Sequence, residues 1–398
     1  MLRDSELAPT DGEISIYEGT TKQRLLEKIL KSGVKILYLA RPFEIGYDDG
    51  KLCGLKLATK HGVMFLRAKH IIDSRGGLCS ALASGESLDE RDSVPVTIIP
   101  RVINVKDASP RTLTVGEATV TVHPAKRRGS PDECRLEISF TLGKDMASGH
   151  LSPFTCRAAG VRTAINVLRE LRVSDPAFES AVITYFPYES IAEPFVPFDG
   201  SAEGITRIDR LYGETADPAV EKALFGHIKE ENEPELPDGI SPYSRIDDER
   251  LPVALYHADF SGKYEIIGTE AAVAGLGAGG EAAMIPLTRH GKEVVACENK
   301  PQLGGTRVVS GVVAYWHGYH GGWNQEIIRE KNSFEKNLGG KLFGAGETLE
   351  DAWLSGQLLG NERCRVLTGT VFGANTDDKK CRGFFAATDQ GVFRVERT

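Results

Sequence analysis

Six residues, Gly275, Leu276, Gly277, Ala278, Gly279 and Gly280, constrain the fold of this chain more than any other feature. They spell G-x-G-x-x-G, the turn by which a strand passes into a helix while leaving room for a dinucleotide pyrophosphate. In such a turn the first glycine permits the tight bend and the second removes a side chain from the phosphate path. The third lets helix and strand pack closely. The amides of the following helix then face the negative charge. A carboxylate about 20 residues further on should accept ribose hydroxyls, and Glu298 stands 21 residues after Gly277 (298 minus 277), at the end of the run Val294–Cys297. A second glycine pair, Gly304 and Gly305, follows Leu303 and precedes Thr306. Glycine-rich turns alone are common. The acidic residue and the second pair at these spacings make dinucleotide binding the expected role, and a parallel α/β unit the expected fold.

A second signal is internal similarity. Residues 48–62 and 377–391 align without gaps, a constant 329 residues apart (377 minus 48). Both stretches hold Asp, Asp, Gly, Ala, Thr and Gly at matching places: Asp48, Asp49, Gly54, Ala58, Thr59 and Gly62 against Asp377, Asp378, Gly383, Ala387, Thr388 and Gly391. Each reads as strand, tight turn, strand, turn, strand. Residues 34–69 and 366–398 are therefore expected to form the same meander, through duplication rather than chance.

The two copies are cut differently. Before the first lie an amphipathic helix, with Leu25, Leu26, Ile29 and Leu30 on one face and Gly33 at its end, and a predicted strand over 34–39. No glycine loop precedes them in this sequence. The second copy has its loop and acidic partner but no counterpart of Ile71, Ile72 and Asp73 beyond Thr398. Either the halves complement each other or the chain is an excerpt of a longer protein, and the excerpt is the expectation.

Between the copies, Val96–Ile99, Thr112–Val115, Ala118–Val122 and Arg135–Phe140 read as strands of an antiparallel sheet, with turns at 116–117 and 129–130. Residues 156–172 read as a helix with Val161, Ala164, Ile165, Leu168 and Leu171 on one face. The proline-bearing stretch 185–198 reads as packed loop. The expected division is 1–92 as the later part of a first module, 93–228 as an α+β region, 229–268 as an acidic linker and 269–398 as the earlier part of a second module.

These residues resemble the FAD-dependent oxidoreductase family with a glutathione-reductase-type FAD domain, in particular its bacterial tandem-module members. The resemblance rests on Gly275, Gly277, Gly279 and Gly280, on Glu298, and on Leu303, Gly304, Gly305 and Thr306. It extends to the glycine- and aromatic-rich stretch 310–323 and to Ile71–Gly76, similar to the family's closing strand. It implies a Rossmann-like FAD- or NAD(P)-binding module in two incomplete copies, with FAD as cofactor and hydride transfer from a small organic substrate such as a carbohydrate or a related metabolite. Arg75 departs from the family by standing where a small threonine is usual, and Pro286 by falling inside the helix after the loop, which it should kink or shorten.

His317 and His320 are the candidate catalytic residues, because an imidazole in a glycine-rich loop can serve as base for a carbinol proton. A loop histidine bonded to backbone is the competing reading. Tyr315, Trp316 and Trp323 are candidates for stacking or for core packing, and Arg307 for a pyrophosphate contact or a solvated position. Cys297 reads as a small core residue. A nicotinamide-dependent dehydrogenase and a degenerate scaffold module remain as alternative functions, although Leu303–Gly305 after the acidic residue favours FAD.

Composition excludes several classes. Among 398 residues the formal net charge is −8 with no compensating basic stripe, against a nucleic-acid partner. No apolar run approaches the roughly 18 residues of a membrane-spanning helix. Seven scattered cysteines without a metal-type pair fit free thiols in a reducing compartment. With no signal-peptide pattern in residues 1–15, a cytoplasmic location is expected. No hydrolase triad order, His-Glu-x-x-His helix or Cys-x-x-Cys pair is present, so no metal is expected.

Overall fold

The computed structural model describes residues 26–124, 132–147, 149–207, 255–312 and 321–398. Its architecture is mixed α/β. The first meander consists of β1 (Arg41–Asp48), β2 (Lys51–Thr59) and β3 (Gly62–Arg67), joined antiparallel, with β12 (Leu255–His257) added on the outside of β3. After β3, the short β4 (Ile71–Asp73) pairs parallel with β11 (Ile205–Arg207) in a separate two-stranded sheet. A short helix, α1 (Leu78–Ala83), follows β4.

A six-stranded antiparallel sheet forms the middle. It contains β5 (Ser93–Ile98), β6 (Arg101–Ile103), β7 (Arg111–Val115), β8 (Ala118–Pro124), β9 (Cys134–Gly143) and β10 (Val182–Tyr185). The expected turn at 116–117 is there, with Gly116 at φ 58°; the one at 129–130 lies outside the described residues, as does the acidic stretch 229–250. Helix α2 (Pro153–Ser174) begins earlier than periodicity alone predicts. The reason is a reciprocal cap: the Ser152 hydroxyl accepts from the Thr155 amide (3.2 Å), the Thr155 hydroxyl accepts from the Ser152 amide (2.7 Å), and Pro153 presets the first helical φ. Its expected apolar face, Val161, Ala164, Ile165, Leu168 and Leu171, is buried.

The last sheet carries the glycine loop. Strands β14 (Ala271–Ala274), β15 (Val294–Glu298) and the start of β16 (Cys364–Asp377) run parallel. Beyond Thr368, β16 bends into a second meander with β17 (Lys380–Thr388) and β18 (Gly391–Arg397), and β13 (Glu265–Thr269) pairs parallel with β18. Helices α3 (Ala278–Arg289), α4 (Gly322–Asn337) and α5 (Gly346–Leu358) complete the unit. One continuous core joins Val94, Val96, Leu142 and Phe154 of the middle region to Met284, Val294 and Trp353 of this unit, so apolar packing crosses residue 269 without a break.

The two meanders share their register. Asp48 faces Lys51 and Asp377 faces Lys380, while Gly54 faces Gly46 and Gly383 faces Asn375. Bulges fall between Pro42 and Glu44 and between Gly46 and Tyr47 in the first, and between Val371 and Gly373 and between Asn375 and Thr376 in the second. The hydroxyls of Thr59 and Thr388 each cap their turn by accepting an amide (His61, Gln390) and donating to a carbonyl (Gly62, Gly391). Glycine is required at 54 and 383, because a methyl group there would run into the carbonyl oxygens of Leu66 and Val395 respectively.

Residues 34–39 do not form the expected strand; the chain becomes extended only at Arg41. In the second meander the corresponding residues are 363–368, of which 364–368 are a strand because β15 pairs with them. The described residues offer 34–39 no such neighbour, and a strand without a partner leaves its backbone groups unsatisfied. The helix before it covers residues 26–31 among those described, and Leu26 and Leu30 on its apolar face are exposed. Pro286 does not break α3, which continues to Arg289 and closes at Gly291 with φ 77°.

The meanders pack against each other through Phe43, Ala58 and Val63 on one side and Phe372, Ala387 and Val392 on the other, with Phe43 and Phe372 stacked at 5.5 Å. An ion triad seals this contact. Asp389, 4 % exposed, accepts from Arg41, 7 % exposed, and from Arg75 (2.6 Å). Burial pushes the Arg41 pKa down, while Asp389 raises it. Asp389→Ala leaves a buried guanidinium uncompensated, with an expected loss of about 3–5 kcal/mol in urea unfolding. Arg75→Ala should cost under about 1 kcal/mol, because that side chain is half exposed. Equal losses for the two variants would refute this division of labour.

Candidate functional site

Strand β14 ends at Ala274 and α3 starts at Ala278, so the glycine loop occupies the strand-to-helix turn that its spacing predicts. Each glycine has a distinct position. Gly275 has φ 88°, a left-handed conformation that disfavours a side chain. A methyl group at Gly280 would collide with the Gly275 carbonyl oxygen, so the fold needs glycine there too. Gly277 differs: its φ is −75°, and the nearest atom to an added Cβ is the Gly305 Cα at 3.9 Å. An added Cβ at Gly279 meets nothing within 4 Å. The fold itself therefore demands neither Gly277 nor Gly279.

Glu298 ends β15, parallel to β14 and beside the loop. Its Oε2 accepts the Leu276 amide (2.8 Å) and its Oε1 accepts the Asn299 amide (2.9 Å). A carboxylate offers about four acceptor positions, so two remain for ligand hydroxyls. The second glycine pair closes over the loop: the Gly304 amide donates to the Leu276 carbonyl (2.9 Å), and an added Cβ at Gly305 would stand 3.0 Å from the Gly277 Cα. Gly304 and Gly305 both have positive φ, and Thr306 lies exposed in the one-turn helix Gly305–Arg307. The first-turn amides of α3, at Ala278, Gly279 and Gly280, have no intrahelical acceptor and no side-chain cap. The structure thus gathers Gly275, Gly277, Gly279, Gly280, Glu298, Gly304, Gly305 and Thr306 in one place.

His317 and His320 lie outside the described residues, as do Tyr315 and Trp316. Trp323 is described and neither packs in the core nor lies in the loop; it is 41 % exposed and meets His290 edge-on at 5.9 Å. Cys297 is buried as expected, and burial pushes its thiol up to about 12, which keeps it protonated and unreactive.

Arg307 is neither solvated nor free for phosphate. It bonds Glu281 of α3 (3.0 Å) and Glu350 of α5 (2.9 Å), and Lys331 of α4 closes the network on Glu350. Sequence reasoning missed this buried cluster. Its one signal was the acidic residue in the first turn of α3, which spacing cannot distinguish from a solvated one. Glu281 is 2 % exposed and its Oε2 has no partner among the described residues. Burial raises its pKa to about 7, Arg307 and Lys331 pull it down, Glu350 pushes it up, and burial dominates.

No protein-family model matches the chain, and no curated protein matches it. Similar solved structures include a geranylgeranyl bacteriochlorophyll reductase-like protein from Thermoplasma acidophilum, at 13 % identity and TM-score 0.35, covering 51 % of this chain and 49 % of that one. The flavin-dependent brominase Bmp2 matches at 15 % identity and TM-score 0.32, covering 49 % and 48 %. Halogenase PltM in complex with phloroglucinol and FAD matches at 17 % identity and TM-score 0.33, covering 53 % and 44 %. The chain spans about half the length of these proteins or less. Among the described residues, no helix is long and apolar enough to cross a membrane.

The buried carboxyl makes stability depend on pH. A folded-state pKa above the unfolded one contributes stability that is complete below about 4.5 and is lost as pH rises through about 7. Glu281→Gln removes this dependence. The Tm of the variant relative to the unaltered protein should therefore rise between about pH 4.5 and 7, then level off. A flat difference across that window would disprove the assignment.

Proposed function

We propose that this chain belongs to an FAD-dependent oxidoreductase acting on a small organic substrate, and that its two meanders are matching parts of two FAD-type modules. The observation that carries the reading is the space at Gly277 and Gly279. Glycine there serves no need of the fold, yet it keeps the path in front of the α3 amides clear, as a pyrophosphate requires. The matched register, bulges and turn caps support the duplication.

The residues present fit the dinucleotide. The amides of Ala278–Gly280 and the dipole of α3 would face the pyrophosphate, Glu298 would take ribose hydroxyls on its two remaining acceptor positions, and Gly304–Thr306 would cover the loop. Bound flavin would supply hydride acceptance. His317 and His320 are the proposed proton acceptors for the substrate. The cysteines are free thiols, which supports the proposed cytoplasmic setting. A nicotinamide dehydrogenase is the second reading, favoured only by the shared glycine loop; a non-catalytic scaffold is the third, favoured by Arg75 being committed to Asp389.

The closing strand, β4, belongs to another sheet from the glycine loop, and β14 is a terminal strand of its own sheet. The loop, acidic residue and closing strand therefore do not share one sheet here. Weak FAD binding by this chain is the expected consequence. Titration of the purified chain should give a saturable but weak complex absorbing at about 450 nm. Gly277→Val should abolish it, because the side chain would enter the pyrophosphate path; an added Cβ there stays 3.9 Å from its nearest protein atom, the Gly305 Cα, so the circular dichroism spectrum should be largely kept. Stoichiometric flavin retained through purification would overturn the incomplete-site reading. Saturable NAD binding without FAD binding would favour the second function.

A further inference from the structure

We propose that the meander face is a self-complementary docking surface, and that the two meanders meet across a local two-fold axis as the halves of a fused dimer of modules. The partner this face fits is a second meander of the same kind. The proposal rests on the duplication of modules and is independent of flavin.

In a two-fold contact each residue meets its own equivalent or exchanges partners with it. The apolar contact between the meanders has that form. Phe43 stacks on Phe372, its equivalent 329 residues later (372 minus 43), with ring planes 5° apart. The same cluster holds Ala58 and Val63 together with Ala387 and Val392, again 329 apart (387 minus 58, 392 minus 63). Ala58 faces Val63 within one meander, and Ala387 faces Val392 within the other. By the same offset β16 from Thr370 onward corresponds to β1, and β17 to β2. Strand β1 packs on β17 and β2 on β16, one contact and its exchanged twin. Phe260, outside the repeat, lies 5.7 Å from Phe43 and 5.3 Å from Phe372, as a residue close to the axis should. Meanders packed by unrelated faces would bring non-equivalent residues together.

Polar groups break the symmetry on one side. Arg41 pairs with Asp389, and the offset makes Thr370 and Lys60 the twin positions (41 plus 329, 389 minus 329). Thr370 faces Ala387 as Arg41 faces Ala58, and both are buried. Lys60 stands in the turn between β2 and β3, as Asp389 does in the turn between β17 and β18. That turn reaches the other meander, since an added Cβ at Gly62 would lie 3.8 Å from the Phe372 carbonyl oxygen. The axis therefore sets residue 60 opposite residue 370, where a threonine and a lysine form no ion pair.

Rebuilding the ion pair on that side tests the axis. Thr370→Arg alone should lower the Tm by roughly 5 °C or more, because it buries an uncompensated guanidinium. Lys60→Asp alone, in an exposed turn, should change it by under about 1 °C. The double variant should recover roughly half of the loss or more, a coupling that the double-mutant cycle reads directly. A smaller recovery would overturn the proposal. If Thr370→Arg folds in neither background, Val63→Ala and Val392→Ala decide. Tm losses equal to within about 1 °C support the axis, and unequal losses overturn it. Absence of FAD binding with the coupling present would remove the flavin reading alone. FAD binding without the coupling would remove the axis alone.

Discussion

Asp389 holds two distant parts of the chain against each other. It sits in the turn between β17 and β18 and accepts from Arg41 at the start of the first meander and from Arg75 just after β4. Both Arg41 and Asp389 are almost wholly buried, so the pair depends on its geometry and cannot rely on water to moderate a mismatch. The aromatic cluster of Phe43, Phe260 and Phe372 packs beside it and contributes the non-directional part of the contact. A cavity of about 390 Å³ borders this triad, with Arg41, Arg75 and Asp389 as part of its wall.

The glycine loop shows how the demands of fold and ligand can be separated within six residues. Gly275 is needed for its φ and Gly280 for its close approach to the Gly275 carbonyl. Gly277 and Gly279 answer to neither constraint, and the space they leave lies in front of three helix amides. A glycine with no structural reason beside donors with no acceptor among the described residues is a physical argument for an anion, independent of motif spacing. Arg307 lies close by yet is spoken for by Glu281 and Glu350. The positive end of α3 and the neutral backbone therefore supply the local attraction.

That same network couples the loop to the helices behind it. Glu281 stands in the first turn of α3, Lys331 on α4 and Glu350 on α5, with Arg307 at their centre. Protonation of Glu281 weakens its bond to Arg307 and relieves repulsion from Glu350. The balance lies near neutrality because desolvation outweighs the two cations.

The sequence by itself determined the features that follow from local chemistry. Asp48–Gly50 and Asp377–Lys379 dictate tight turns, Thr59 and Thr388 cap the next ones, and the 329-residue spacing carries over to register, bulges and required glycines. The turn from β14 into α3 and the place of Glu298 were legible for the same reason: each depends on residues close in sequence. Pairing partners were not legible. Residues 34–39 have the composition of a strand but meet no neighbouring strand among the described residues, whereas 364–368 meet β15. Ile71–Asp73 reads as a closing strand, yet β11, more than 130 residues later (205 minus 73), is its partner. Arg307 read as a pyrophosphate contact or a solvated cation, and Arg75 as a departure from a small threonine, until folding brought Glu281 and Glu350 to the one and Asp389 to the other. Turn and cap preferences act over a few residues and are written in residue type. Strand partners, buried ion pairs and the cavity depend on which surfaces meet, and that only the tertiary structure decided.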